Sequence, residues 1–144
     1  MKVLINDDPF LRVVAKPLGK VTLDHSAKIE NMFTLMYDGG IGLAATQVGW
    51  DAKVFITDVE NYGPMVFINP MILKTYGKLV GDYEGCLSFP GKKVWVERKL
   101  WVKLSYEDFL GNKKELVATK LMARCIQHEL QHLDGIVITD YEKN

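Results

Sequence analysis

The sequence holds only two cysteines, Cys86 and Cys125, among 144 residues. Two thiols are too few for a disulfide framework in a chain of this size, so both are expected to be reduced in a cytoplasm-like compartment. No apolar run approaches the roughly 20 residues of a membrane-spanning helix. The opening MKVLINDDPF meets charge too early to be a signal-peptide core. Neither sign of charge is in excess, since Lys+Arg and Asp+Glu both total 18. That balance leaves no overall electrostatic signature for nucleic acid or an acidic membrane surface. Repeats, low-complexity tracts and linker-like stretches are lacking, and residues 1–144 are expected to form one domain. Histidine is scarce too: any imidazole site must be drawn from His25, His128 and His132.

The pattern that is present reads as helices and strands set apart rather than alternating. Ile29, Met32, Phe33, Met36 and Tyr37 share one face at helical spacing, which predicts a helix over about Ser26 to Asp38, capped by Asp24 or Ser26 and ended by Gly39 or Gly40. KVFITDV and MVFINP read as strands around the turn residues of ENYGP. MILKTYGKLVGDYEGCLSFPG is mixed, with extended pieces broken by glycines. VWVERKLWVKLSYED is rich in β-branched and aromatic residues, and FLGNKKELVA reads as a hairpin into a further strand. A second helix is expected from Thr119 as N-cap to just before Gly135, with IVITDY as a closing strand. The fold class expected is α+β, with largely antiparallel strands around a buried second helix that carries the pattern H-E-x-x-H.

Between the first helix and the first strand lies GGIGLAATQVG, which contains G-x-G-x-x-A at Gly40, Gly42 and Ala45. The dinucleotide fingerprint of that form must follow a strand and open a helix, because the helix N-terminus holds the pyrophosphate. Here the order is reversed, which argues against a phosphate cradle.

LMARCIQHELQHLDG is apolar over a wide arc, yet His128, Glu129 and His132 sit within it. Ionisable groups buried without partners are costly. The residues spell H-E-x-x-H: imidazoles four apart present themselves to one ion, and the glutamate between them can reach a water on that ion. The bland alternative is a pair of core histidines hydrogen-bonded to neighbours. A catalytic metal needs a third protein ligand. His25 stands at the polar start of the first helix and is expected at the surface. Cys125 and His132 are about 10.5 Å apart along the helix axis, too far to share an ion, so Cys125 reads as a small core residue. Cys86, in EGCLS beside Gly85, either completes a Cys-His-His set with an open position or is a buried strand cysteine.

GIGLAATQ (40–47), EGCLS (84–88) and QHELQH (127–132) stand in this order, and together they resemble the peptide deformylases. DDPFLRVVAKPL and FINP extend the likeness over nearly the whole chain. The resemblance implies that Cys86, His128 and His132 are metal ligands and that Glu129 is the general acid–base. It implies that the Gln47 amide and the Leu87 backbone N–H hold an oxyanion, and that Ile41, Gly42 and Gly85 line the methionine pocket or its entrance. The implied reaction is removal of the formyl group from the initiator methionine of new polypeptides, with N-formylmethionyl peptides as partners. The implied cofactor is one divalent ion, Fe(II) as the native metal and Zn or Ni as replacements. Apolar residues are common in the family where Arg124 stands, and its place near the metal-facing side leaves two readings: a guanidinium that meets the substrate, or one that snorkels to water. Gln131 is a lesser departure, since Asp is frequent there. Few residues follow Asp140, whereas many relatives continue into a long C-terminal helix linked to ribosome docking. Transient ribosome contact is therefore doubtful, and a shortened phage-encoded form, working in a host cytoplasm, is a plausible origin. Otherwise the cytoplasm is the expected location.

Three other functions compete. A generic metallopeptidase would not normally use the thiolate of EGCLS, and a structural metal site would normally have four protein ligands. A dinucleotide module is the weakest, for the order of elements given above.

Overall fold

A computed structural model of the chain describes residues 1–142; the last two residues of the expected 1–144 domain lie outside the described residues. Helix α1 (Leu23–Met36) is followed by β1 (Gly42–Ala44), β2 (Val54–Val59), β3 (Gly63–Glu84), β4 (Val94–Glu107), β5 (Lys113–Thr119) and helix α2 (Lys120–Leu133). The strands form one antiparallel sheet in chain order, β1-β2-β3-β4-β5. The segregated α+β layout read from the sequence is the one observed. No helix among the described residues is long and apolar enough to cross a membrane.

The alternation of β2 explains how the sheet serves two helices. Val54 and Ile56 point into a cluster with Ile29, Met32 and Met36 of α1. Phe55, one residue out of step, points the other way and stacks on Phe67 at 4.6 Å, against Met122, Ala123 and Ile126 of α2. Helix α2 is thus held against the sheet by its apolar arc, and the polar residues inside that arc are carried into the interior with it.

Three elements and the placement of His25 differ from those expected. Helix α1 starts three residues early, because the Thr22 hydroxyl accepts from His25 N while His25 Nδ1 accepts from Thr22 N, each at 3.2 Å. His25 is therefore half-buried at the helix start rather than free on the surface. The mixed segment after MVFINP is one long strand, β3. It stays paired with β4 through register shifts near Asn69 and Gly77, whose φ values of 49° and 84° bend it without ending it. IVITDY is not a strand: Ile138–Tyr141 is a 3₁₀ turn, fixed by Asp140, which accepts from Val137 N at 3.1 Å and from a two-pronged Arg12 at 2.7 and 2.8 Å.

Candidate metal centre

Two strands and two loops bring the candidate residues together. The carboxyl end of β3 delivers Glu84, and the turn that follows carries Gly85, Cys86, Leu87 and Ser88 over the middle of α2. From the other side, β1 and the 3₁₀ turn Ala45–Val48 bring in Gly42 and Gln47. The glycine loop follows a helix and enters a strand, as the sequence order requires, so no helix N-terminus is aimed at a ligand there.

Cys86, His128 and His132 each offer one ligand atom, all within 4.8 Å of one another. Cys86 Sγ lies 3.4 Å from His132 Nε2. Two ligands with bonds of 2.0–2.3 Å in a tetrahedral shell sit about 3.5 Å apart, so the spacing suits a bound ion. His128 Nδ1 donates to Glu84 Oε1 at 2.9 Å, which leaves its Nε2 lone pair for the site. Cys125 is buried and 3.9 Å from the Ile41 carbonyl oxygen; burial pushes its thiol well up, so it stays protonated and is a core residue.

The electrostatics also suit a cation. Burial pushes His128 down, but Glu129 and the hydrogen bonds with Cys86 and Glu84 outweigh it, and without metal the imidazole is raised to about 10. Acidic neighbours thus favour positive charge at His128. His132 is pushed well below the usual range by burial and by its neighbours His128 and Arg98, and remains a neutral donor. Glu129 is raised to about 7, chiefly by burial, and its Oε1 has no hydrogen-bond partner, as is also true of His132 Nδ1. A buried carboxylate oxygen aimed at nothing is what a water on the missing side would satisfy. The donor set and the free Glu129 oxygen fit a divalent ion.

An open cleft of about 830 Å³ leads to this point. Ile41, Gly42, Gly85, Leu87 and Arg124 line it together with Cys86, His128 and Glu129. A Cβ on Gly40 would lie 2.9 Å from Leu87 Cδ1, so a side chain there would displace Leu87 at the cleft. Gln47 is fully buried: its Oε1 accepts from Ala44 N at 2.9 Å, and its Nε2 turns to Ser88 Oγ at 3.1 Å and Cys86 Sγ at 3.5 Å. The Leu87 N–H has no backbone partner among the described residues.

Arg124 does line the cleft, but its guanidinium takes neither course read from the sequence. It donates to Glu84 Oε2 at 2.7 Å, to the Val96 carbonyl at 2.8 Å and to the Val80 carbonyl, so its donors face the sheet. Glu84 and Arg98 are the functional residues that sequence reasoning passes over. Glu84 accepts from Arg98 Nε and Nη2 at 3.0 and 2.9 Å as well as from Arg124 and His128. Burial alone would raise the Glu84 carboxyl, but His128 and Arg98 hold it down to about 2.

The fold and this site define a metal-dependent hydrolase. The whole chain, residues 1–144, matches the family described as polypeptide deformylase. The chain belongs to that family. The peptide deformylase of Alkalilimnicola ehrlichii is 43% identical over 145 residues, covering 98% of this chain and 81% of the relative. The Synechococcus elongatus peptide deformylase, solved in complex with actinonin, superposes with a TM-score of 0.94 at 41% identity, over 99% of this chain and 80% of that one. The deformylase of the Vibrio parahaemolyticus bacteriophage VP16T, also with actinonin, gives 0.90 at 34% identity, over 96% and 100%.

Proposed function

We propose that Cys86, His128 and His132 hold one divalent ion with which this enzyme removes the formyl group from N-formylmethionyl peptides and releases formate. The observation that carries the reading is the convergence of those three donors on the floor of an open cleft, beside a buried glutamate with a free oxygen. When bound, the ion supplies Lewis acidity toward water and toward the formyl oxygen. The thiolate and two imidazoles suit Fe(II) as native metal, with Zn or Ni able to replace it.

Glu129 is the acid–base. It takes a proton from the attacking water as the new C–O bond forms, and returns it to the amine nitrogen as the C–N bond breaks. In the metal-free protein burial raises its carboxyl to about 7. Negative charge grows on the former formyl oxygen, where the Gln47 amide and the Leu87 N–H serve as fixed donors. Gln47 is set for this by Ala44 and Ser88, which lock both ends of its amide. Ile41, Gly42 and Gly85 bound the methionine site, and Arg124 contributes its stem to the wall. One catalytic domain over 1–144 acting in the cytoplasm fits this role; ribosome contact is not needed for any step.

The test is anaerobic purification, metal analysis and a deformylation assay on formyl-Met-Ala-Ser. One ion per chain and formate release are expected. A metal-loaded protein that leaves this peptide intact would falsify the reading.

A further inference from the structure

The contacts behind His128 do not stop at Glu84. Arg98 uses one edge of its guanidinium, Nε and Nη2, on Glu84, and points Nη1 at Gln131 Oε1, 2.6 Å away. Gln131 lies three residues after His128, so both flank one side of α2 and Arg98 sits between them. With its oxygen committed to Arg98, the Gln131 amide can offer only Nε2 outward, and this donates to Tyr141 Oη at 2.6 Å. The Tyr141 ring also lies against the guanidinium, 5.5 Å from Arg98 Cζ to the ring centre. Tyr141 belongs to the 3₁₀ turn Ile138–Tyr141, which Arg12 anchors through Asp140 and the Gly135 carbonyl.

We propose that Tyr141 and Gln131 are positioning residues for the metal centre: from the 3₁₀ turn they fix the rotation of Arg98, which sets the Glu84 carboxylate and hence the plane of the His128 ring. The idea rests on the reading of His128 as a ligand. Glu84 Oε1 must serve both Arg98 and His128, while Arg124 pulls on Oε2. A guanidinium free to turn would let the carboxylate follow Arg124 and carry its acceptor away from His128. Gln131 opposes this without charge. A carboxylate in its place would compete with Glu84 for the same guanidinium, whereas the amide binds Arg98 and leaves its charge to Glu84. Partners that orient a metal-bound histidine, as Glu84 does here, change metal affinity by about 10–100-fold when removed, and Gln131 and Tyr141, two or more contacts beyond Glu84, act more weakly.

The test uses metal-loaded wild type, Tyr141→Phe, Gln131→Met and the double variant. Three quantities are read: the rate of metal release to an excess of chelator, kcat and KM on formyl-Met-Ala-Ser, and the melting temperature of the metal-free proteins. Tyr141→Phe keeps the ring under Arg98 and loses only the hydroxyl. Each single variant should release metal about 3–10-fold faster and lower kcat with little change in KM, below the roughly 10–100-fold scale of a direct outer-shell partner. The metal-free melting temperatures should stay at the wild-type value, and the double variant should be no worse than the more affected single one, because both residues act through one contact chain. Release at the wild-type rate from both single variants, additive effects in the double, or faster release matched by loss of metal-free stability would each overturn the proposal. A wild type that retains no metal would overturn the ligand reading, and this one with it.

Discussion

A Cβ placed on Gly42 would lie 2.6 Å from Glu129 Oε2 and 2.7 Å from Cys125 Sγ. The glycine and the glutamate are therefore a fitted pair. The strand that forms the cleft wall passes so close to Glu129 that a side chain at Gly42 would push the carboxylate from its place. Gly42→Ala should fold, since its neighbours can shift at a cost of about 1–3 kcal/mol. It should keep its metal and yet lose about 10²-fold or more in kcat, as if the acid–base were displaced. Wild-type kcat in the alanine variant would mean that the carboxylate has more freedom than its burial implies.

Glu129 itself separates chemistry from metal binding. Glu129→Ala should retain metal and lose about 10²–10⁴-fold in activity. The metal-free protein adds a pH signature. Burial raises the carboxyl from 4.5 to about 7. The protonated form is thus favoured in the folded state, and folding stability should be greatest below pH 4.5 and fall as pH rises toward 7. Above that range Glu129→Gln should be more stable than wild type, by about 1–3 kcal/mol. Urea melts of the two metal-free proteins at pH 4 and pH 8 check the sign; a gap that is equal at both pH values rules the linkage out.

The two thiols should part company in the same way. Cys86→Ser removes the thiolate proposed as a ligand and should abolish tight metal binding. Cys125→Ser leaves the three donors intact and should keep its metal, while losing about 1–3 kcal/mol because a hydroxyl replaces a thiol in a buried site. Metal analysis of both variants, beside their denaturation curves, decides it. Normal metal content in Cys86→Ser would remove Cys86 from the ligand set.

Much of this site is legible in the sequence because its chemistry is local. His128, Glu129 and His132 fall within five residues of one helix, and an apolar arc around ionisable groups announces that they are buried for a reason. EGCLS shows its thiol equally well, and even the signal for Glu84 is there: an acid two residues before a candidate ligand. What the sequence hides is made by distant pairing. Glu84, Val96 and Val80 stand 40, 28 and 44 residues from Arg124, and only the β3–β4 register and the seating of α2 bring them to it. The 3₁₀ turn at Ile138–Tyr141 is hidden likewise. Its β-branched residues favour a strand, but Arg12, 128 residues away, fastens Asp140 in a turn. The early start of α1 is a local miss: His25 fills the reciprocal capping place where Glu or Gln is the usual signal.

Arg124 gives the sharpest contrast between the two levels. Its sequence position near the metal-facing side leaves two readings, a guanidinium that meets the substrate, such as an acidic residue after the methionine, or one that snorkels to water. Its observed donors are instead committed to Glu84 and to two strand carbonyls, with the side chain only 12% exposed. Arg124→Ile should therefore change kcat/KM by the same factor for formyl-Met-Asp and formyl-Met-Ala peptides. It should also destabilise the fold by about 2–4 kcal/mol, since two strand carbonyls lose their donor and Glu84 loses one of its cations. The loss stays below that of a fully broken buried pair because Arg98 and His128 still hold Glu84. The measurements are kcat/KM for both peptides and a urea melt of each protein. A selective loss on the aspartate peptide would restore charge recognition by Arg124 and require the guanidinium to leave Glu84 when substrate binds.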